Sequence, residues 1–278
     1  MGYQDILLHL SDDPRSAVKT DVALRLAQKF KAHLIGLYTV PPPVVPYYSG
    51  EFVPAAFIQQ QVDESLAAAA KAQAAFEAAT AREGVAAEWI VTEGPPIEAA
   101  ASAARAVDLV VLGQPDPSPA ENPVLAPAIG LLPHDIALSA GRPVLVLPYA
   151  GKFPSIGKRV MIAWSGTKEA TRAVHDAMPF LKAAEKVTVL SINADKSRGT
   201  PGATLARHLA RHGVTVELAN TVADDISVGE ALLSTVADRE VDLLVMGAYG
   251  HSRLREMVFG GVTETILDAM TVPVLLSN

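Results

Sequence analysis

The 278-residue sequence has no cysteine, few aromatic residues and no long apolar run. Without cysteine the chain can form no disulfide bond, thiolate nucleophile or zinc–thiolate site. Its apolar runs fall short of the about 18 residues that a membrane-spanning helix requires. Acidic residues outnumber basic ones, 30 to 23, so the net charge of −7 argues against binding to nucleic acid or anionic membranes, which needs a basic surface.

The remaining composition is that of a globular protein. Apolar residues make up 50% of the chain and charged residues 19%, and alanine, the best helix former, is abundant. The first residues, MGYQDILLHL, place no basic stretch ahead of the first apolar run, so we expect no secretory signal peptide. We therefore expect a soluble cytoplasmic protein.

Blocks of similar sequence recur in the same order in the two halves of the chain. The most similar pair is VDLVVLG at Val107–Gly113 and VDLLVMG at Val241–Gly247. Each half also closes with a proline-led apolar run, at Pro143–Leu147 and at Pro273–Leu276. Repetition of this kind predicts an internal duplication.

Within each half, short buried runs alternate with segments of helical periodicity. This alternation predicts parallel strands covered by helices on both faces, joined by right-handed crossovers, with about five strands in each half. The segment 149–157 contains two glycines and a proline and has no periodicity, so it reads as a linker. We predict an α/β fold of two domains, residues 1–150 and 156–278.

A glycine-rich stretch follows the last buried run but one. It reads GAYGHSRLREMVFGGVT, with Gly247 and Gly250 separated by nine residues from Gly260 and Gly261. Glycine lets the backbone approach a ligand closely, and a helix that begins after such a loop offers free N–H groups to an anion. The spacing matches neither G-x-G-x-x-G nor a Walker A loop. It predicts a phosphate site of another kind in the second half.

The first half differs from the second at the matching position. After Gly113 it continues with a proline-rich stretch, and proline has no N–H group to offer a phosphate. The first half also carries a long alanine-rich helix, predicted from about Pro54 to Arg82, that should pack over the sheet or against a second chain. We expect the first domain to be a degenerate copy without a phosphate loop.

These motifs resemble the universal stress protein family in its tandem, two-domain form. The loop of that family, Gly-x-x-Gly, nine residues and Gly-Ser/Thr, is met here by Gly247, Gly250 and Gly260. The resemblance implies two tandem doubly wound five-stranded parallel sheets of the Rossmann-like HUP type, paired as an intrachain pseudo-dimer through the last strand of each half. Some members of the family bind ATP, and others lack the loop and do not.

Two positions depart from the pattern of the family's ATP binders. Gly261 stands where a hydroxyl residue usually follows the glycine, although Thr263 is two residues away. Ser165 stands where an aspartate usually lies near the ribose, whereas the first half has Ser11 and Asp12 there. Loss of a charged acceptor is expected to weaken binding by about 1.5–3 kcal/mol.

The predicted nucleotide site has three parts. They are the end of the first strand of the second half, the residue that follows its second strand, and the glycine loop. It comprises Ala163, Trp164, Ser165, Asn193, Gly247, Gly250, His251, Ser252, Gly260, Gly261, Val262 and Thr263.

Each of these residues also has a simpler interpretation. The glycines can serve a tight turn or close packing of a helix on the sheet, and Thr263 can cap a helix. Trp164 can pack in the core or at a domain interface rather than on adenine, and His251 and Ser252 can be solvated. His208 and His212, four apart on one predicted helix, could hold a metal, but solvation near the surface is favoured and no metal site is predicted.

The leading functional hypothesis is a stress-response regulatory protein that binds ATP, or AMP or ADP, with or without Mg²⁺, in its second half, and whose chains self-associate. The alternative is a protein-interaction scaffold of the same fold that has lost nucleotide binding. A slow ATPase or phosphotransferase is disfavoured because no lysine lies in the loop and no carboxylate pair for magnesium lies beside it.

Overall fold

A computed structural model describes residues 2–11, 13–43, 54–115, 132–194, 199–248 and 261–278. These residues fall into two compact units, Gly2–Ala140 and Gly141–Asn278. In both units strands and helices alternate along the chain, as the sequence pattern predicts.

The first unit is a parallel sheet with helices packed on it. Its strands are β1 (Asp5–Leu10), β2 (His33–Val40), β3 (Ala87–Glu93) and β4 (Leu109–Gly113), and its helices are α1 (Ser16–Phe30), α2 (Ala55–Glu83), α3 (Pro96–Ala104) and α4 (Leu132–Ser139). The strand order is β3-β2-β1-β4. The strands β1, β2 and β4 read as almost continuous apolar runs because they are buried on both faces.

The second unit contains a sheet of six strands. Its strands are β5 (Val144–Leu147), β6 (Arg159–Ala163), β7 (Lys186–Ile192), β8 (Val216–Thr221), β9 (Leu243–Gly247) and β10 (Val274–Ser277), and its helices are α5 (Lys168–Asp176), α6 (Met178–Ala183), α7 (Ala203–Arg211), α8 (Val228–Asp238) and α9 (Val262–Ala269). The strand order is β5-β10-β9-β6-β7-β8. All neighbours run parallel except β5 and β10.

The strands that close the two halves of the sequence pair antiparallel. Val144 is opposite Leu276, and Val146 is opposite Val274. This confirms the predicted pairing of the two proline-led runs. As a result β5, which ends the first sequence half, belongs by its contacts to the second unit.

The alanine-rich helix α2 packs on the first unit over only part of its length. Its side chains at Ala69, Phe76 and Thr80 are buried, and Phe76 lies 5.3 Å from the ring of Trp89 on β3. A Cβ at Gly36 would lie 2.6 Å from the Trp89 ring, so glycine at this position leaves room for the indole against β2. The part of the helix around Phe76 thus lies over the sheet, which is one of the two arrangements predicted for it.

Local signals fix several element boundaries in the second unit. Ser227 and Glu230 form a capping box at the start of α8, as the sequence S-x-x-E indicates. The helical segment after β6 is divided into α5 and α6, because Pro179 lies in the first turn of the second helix and cannot continue the first. The Asp242 carboxylate holds the linker by accepting hydrogen bonds from the Ser155 hydroxyl and from backbone N–H groups of residues 157–159.

Within the described ranges, the helices are all too short or too polar to span a bilayer.

Candidate functional site

The carboxyl ends of β6 and β9 meet at the point where the strand order of the second unit reverses. From β6 the chain moves outward to β7 and β8, and then returns to the other side of β6 to form β9. Ala163 pairs with Met246, which sets the next residues, Trp164 and Gly247, level on adjacent strands. Ligands of open α/β sheets bind in the crevice outside such a switch point.

The end of β6 presents hydroxyl groups to solvent. The backbone N–H of Trp164 donates to the Leu190 carbonyl of β7 at 2.8 Å, which extends the pairing of β6 with β7 by one residue. Ser165 is exposed, and its Oγ lies 3.1 Å from Oγ1 of Thr167. Gly166 between them has φ of +74°, a left-handed conformation that suits glycine and brings the two hydroxyls together.

Thr167 starts helix α5 at this edge of the sheet. Its backbone is extended, and its Oγ1 accepts a hydrogen bond from the Ala170 N–H at 3.3 Å. This is an ordinary N-cap, which directs the first turn of α5 and its partial positive charge toward the switch point. Glu169 in this first turn is buried, and hydrogen bonds outweigh the effect of burial and hold the pKa of its carboxyl below the usual range.

Gly247 ends β9 directly against α5. A Cβ at this position would meet the Ala170 backbone nitrogen and would lie 2.5 Å from the Glu169 carbonyl carbon. Because the obstacle is helix backbone, it cannot move aside as a flexible side chain could. Gly247 is therefore required for the close approach of helix and strand, whether or not a ligand binds.

Helix α9 begins at the same edge, because it leads from the carboxyl end of β9 to the amino end of the parallel strand β10. Gly261 is its N-cap, with extended backbone (φ −62°, ψ 157°), and its carbonyl accepts from the Thr265 N–H at 3.1 Å. Val262 is half-buried, and Thr263 is buried in the first turn with only 3% of its surface exposed. The structure thus brings the starts of two helices, α5 and α9, to one edge of the sheet.

Asn193 follows β7 and is engaged with the neighbouring loop. Its φ of 53° is left-handed, and its Oδ1 accepts from the Ala223 N–H at 2.8 Å while its Nδ2 donates to the Ala223 carbonyl at 3.3 Å. This two-way contact ties the ends of β7 and β8 together. Sequence reasoning had no signal for it, since the partner lies 30 residues away.

Four residues of the predicted site, Gly250, His251, Ser252 and Gly260, lie outside the described residues. The predicted residues that the structure brings together are therefore those at the ends of β6 and β9 and at the start of α9.

Sequence reasoning missed two further contacts at this edge. Thr167 shows the weak signal of a hydroxyl residue just before a helical segment. Asn278 donates from its side chain to the Ala248 carbonyl at 2.9 Å and fixes the residue after β9, and the sequence carries no local sign of this contact.

The matching edge of the first unit is filled by charged side chains. Lys19, only 5% exposed, donates to Oδ2 of Asp13 at 2.6 Å, and the same carboxylate accepts from the Ser11 hydroxyl at 2.6 Å. The lysine stem lies over the end of β4, since its Cδ would be 3.0 Å from a Cβ at Gly113. Asp12, the acidic residue singled out in the sequence, lies outside the described residues.

Protonation at this filled edge is governed by burial and by the ion pair. His9 is 7% exposed, and its Nε2 lies 3.0 Å from the Thr39 hydroxyl. Burial, reinforced by the Lys19 ammonium, lowers the pKa of His9 to about 3, so its imidazole is neutral at physiological pH. Burial alone would raise the pKa of Asp13, but the Lys19 charge and several hydrogen bonds hold it below its usual value.

Comparison with known proteins decides the family. The universal stress protein family matches residues 2–148 and again residues 157–278. The chain belongs to the universal stress protein family. The two matches also agree with the duplication and the tandem organisation that the sequence predicts.

Individual relatives of this universal stress protein match shorter stretches. Universal stress protein Slr1230 from Synechocystis is 31% identical over 147 residues, which is 50% of this chain and 48% of that protein. Universal stress protein MJ0577 from Methanocaldococcus jannaschii is 36% identical over 58 residues, 20% of this chain and 36% of that protein. The chain thus matches about half or less of the length of these curated relatives.

Solved structures agree on the fold across the chain. A universal stress protein from Archaeoglobus fulgidus superposes with a TM-score of 0.75 at 16% identity, covering 99% of this chain and 96% of that chain. A protein of unknown function from Pseudomonas aeruginosa, PA1789, gives 0.59 at 13% identity, covering 99% and 92%. At these identities the likeness establishes the fold alone.

Proposed function

We propose that this universal stress protein is a stress-response regulator that binds an adenine nucleotide, ATP, ADP or AMP, at the carboxyl edge of the second unit. The observation that carries the proposal is the switch point between β6 and β9. There the start of α5, the start of α9 and the exposed Ser165–Thr167 hydroxyl pair lie at the same edge of the sheet. Helix starts supply N–H groups and dipole for phosphate, and hydroxyls supply hydrogen bonds for ribose.

In this proposal the residues divide into two groups by ligand part. The backbone of Gly250, Gly260, Gly261 and Val262 and the side chains of His251 and Ser252 hold phosphate, and Thr263, which is 3% exposed, lies in the first turn of α9. Gly247 leaves room for α5 at the end of β9. Ala163, Trp164 and Ser165 line the ribose and base. Asn193 positions the loop beside the base, because its amide is already bonded to Ala223.

The proposed role is that of a binding module rather than an enzyme. The described ranges contain no group of three or more histidine or acidic side chains placed to hold a metal ion. Mg²⁺ would therefore come with the nucleotide, bound mainly through phosphate oxygens. Self-association of chains is part of the same proposal, and analytical ultracentrifugation with and without nucleotide tests it.

Two observations favour a second candidate, an interaction scaffold without nucleotide. The need for glycine at Gly247 is fully explained by packing against α5, and the Asn193 amide is occupied without a ligand. Under this reading the glycine loop is retained for the fold alone.

Isothermal titration of nucleotide-stripped protein with ATP and Mg²⁺ separates the two candidates. The proposal predicts one site per chain, abolished by Gly250→Val and by Gly260→Val in folded protein. Gly113→Ala, at a strand end of the first unit that is followed by no glycine loop, is the control and should leave affinity unchanged. Wild-type affinity in both loop variants would refute the site, and two sites per chain would show that the first unit also binds.

Ser165→Asp sharpens the same test. A carboxylate can accept two ribose hydroxyls where serine makes one bond, so affinity should rise roughly tenfold or more. A scaffold without a nucleotide site would bind no ATP before or after this change.

A further inference from the structure

Two exposed histidines stand one turn apart at the C-terminal end of α7. His208 lies in the last turn of the helix and His212 is its C-cap residue. Their imidazole centroids are 4.7 Å apart, with the ring planes at 60°. We propose that His208 and His212 chelate a divalent transition-metal ion, Cu²⁺ or Zn²⁺, through one ring nitrogen each.

Both imidazoles are available for such a role. The buried face of α7 is formed by Leu205 and Leu209, and both histidines are exposed on another face. Apart from their contact with each other, no hydrogen bond or ion pair joins either ring to any described residue. Side chains four residues apart on a helix are neighbours, and this spacing brings two histidines onto one metal in helical zinc motifs.

The position at the end of α7 favours a cation. A helix C-terminus carries a partial negative charge, which attracts positive charge within its last turn. Arg207 and Arg211 act in the opposite sense, but the Arg207 guanidinium is turned toward the amino end of the helix, where it lies 3.4 Å from Oγ1 of Thr204. The Arg207 charge is therefore held one turn away from the C-terminal end of the helix.

The donor set limits which metal can bind. Imidazole nitrogen suits copper, zinc and nickel, whereas Mg²⁺ and Ca²⁺ prefer oxygen. Since the described residues supply no third histidine or acidic ligand, water or another exchangeable group completes the coordination. The affinity order should follow the general series, with Cu²⁺ bound more tightly than Zn²⁺.

Titration of untagged full-length protein with CuCl₂, followed by electron paramagnetic resonance, tests the proposal. We expect one Cu²⁺ ion to bind per chain, with a spectrum that shows coupling to two imidazole nitrogens. Added EDTA should remove the bound Cu²⁺. His208→Ala and His212→Ala should each leave coupling to only one nitrogen at that site. Each should also weaken Cu²⁺ binding at least about 10- to 100-fold, because that is the loss when a residue that only supports a metal ligand is removed. Both positions are exposed, so circular dichroism should show unchanged folding.

His175→Ala is the matched control, because His175 is a single exposed histidine on another helix, α5. This variant should keep the affinity and the two-nitrogen coupling of the wild type. Unaltered tight binding in the His208→Ala/His212→Ala double variant would overturn the proposal, as would a wild-type spectrum with a single coupled nitrogen.

Discussion

The carboxyl edges of the two sheets are built on the same strand plan but are occupied differently. In the first unit the end of β4 is covered by the Lys19 side chain, which is paired with Asp13. In the second unit the end of β9 is covered by the backbone of α5, and Ser165 beside it is exposed. The first edge satisfies its own polar groups with an ion pair, while the second exposes the Ser165 hydroxyl. Duplication has preserved the strands while the chemistry at their ends has diverged.

The largest effect is expected from breaking the ion pair of the first unit. Asp13→Asn leaves the Lys19 ammonium, 5% exposed, without its counter-charge, and should lower the free energy of unfolding by about 3 kcal/mol. Urea denaturation of the variant measures this loss. Lys19→Met combined with Asp13→Asn should recover much of it, because no buried charge remains. A loss below about 1 kcal/mol in the single variant would mean that solvent already screens the pair.

The two strand-end glycines allow a matched comparison. Gly247→Ala places a methyl group against helix backbone and should cost about 2 kcal/mol of stability, whereas at Gly113 the same change meets only the flexible Lys19 stem. Gly113→Ala should therefore cost clearly less. Thermal unfolding of both variants followed by circular dichroism measures the difference, and equal losses would show that α5 can move away from β9.

The neutral His9 gives the first unit a distinctive pH dependence. Its pKa is about 3 in the folded protein against 6.5 for the free side chain, so below pH 6.5 the unfolded chain binds a proton that the folded chain does not. The free energy of unfolding therefore decreases as the pH is lowered, and His9 alone accounts for a loss of about 2 kcal/mol between pH 7 and pH 5. Urea denaturation at both pH values should show a smaller difference for His9→Gln. If the wild type and His9→Gln lost the same free energy of unfolding between the two pH values, His9 would be protonated in the folded protein at pH 5.

The smallest effect concerns the open edge. Gly261→Ser is compatible with the extended backbone at this N-cap, and a serine cap should stabilise α9 by a few tenths of a kcal/mol. The same hydroxyl should strengthen nucleotide binding if Gly261 contacts phosphate. Differential scanning calorimetry with and without ATP separates the two effects, and an equal gain under both conditions would assign Gly261 to capping alone.

Much of the fold could be predicted because it follows from local patterns. Several elements are specified by their local sequence alone. The signals are buried apolar runs, turn glycines and the prolines before β5 and β10. The S-x-x-E box at Ser227 likewise identifies a helix start from four residues. The contacts of the candidate site could not be predicted in the same way, because they join residues that are distant in the sequence. Gly247 against α5 and Asn193 against Ala223 are examples, and the pairing of Lys19 with Asp13 could not be told from two solvated charges.

The antiparallel pairing of β5 with β10 determines how the second half can be studied alone. A fragment that begins at Gly141 keeps β10 between two neighbours, since β9 lies on its other side. A fragment that begins at Gly157 would leave Val274, Leu275 and Leu276, which are fully buried in the intact chain, as a bare edge strand. Unprotected apolar edges recruit further strands and aggregate. The shorter fragment should therefore oligomerise or precipitate, although its sequence contains the whole predicted glycine loop.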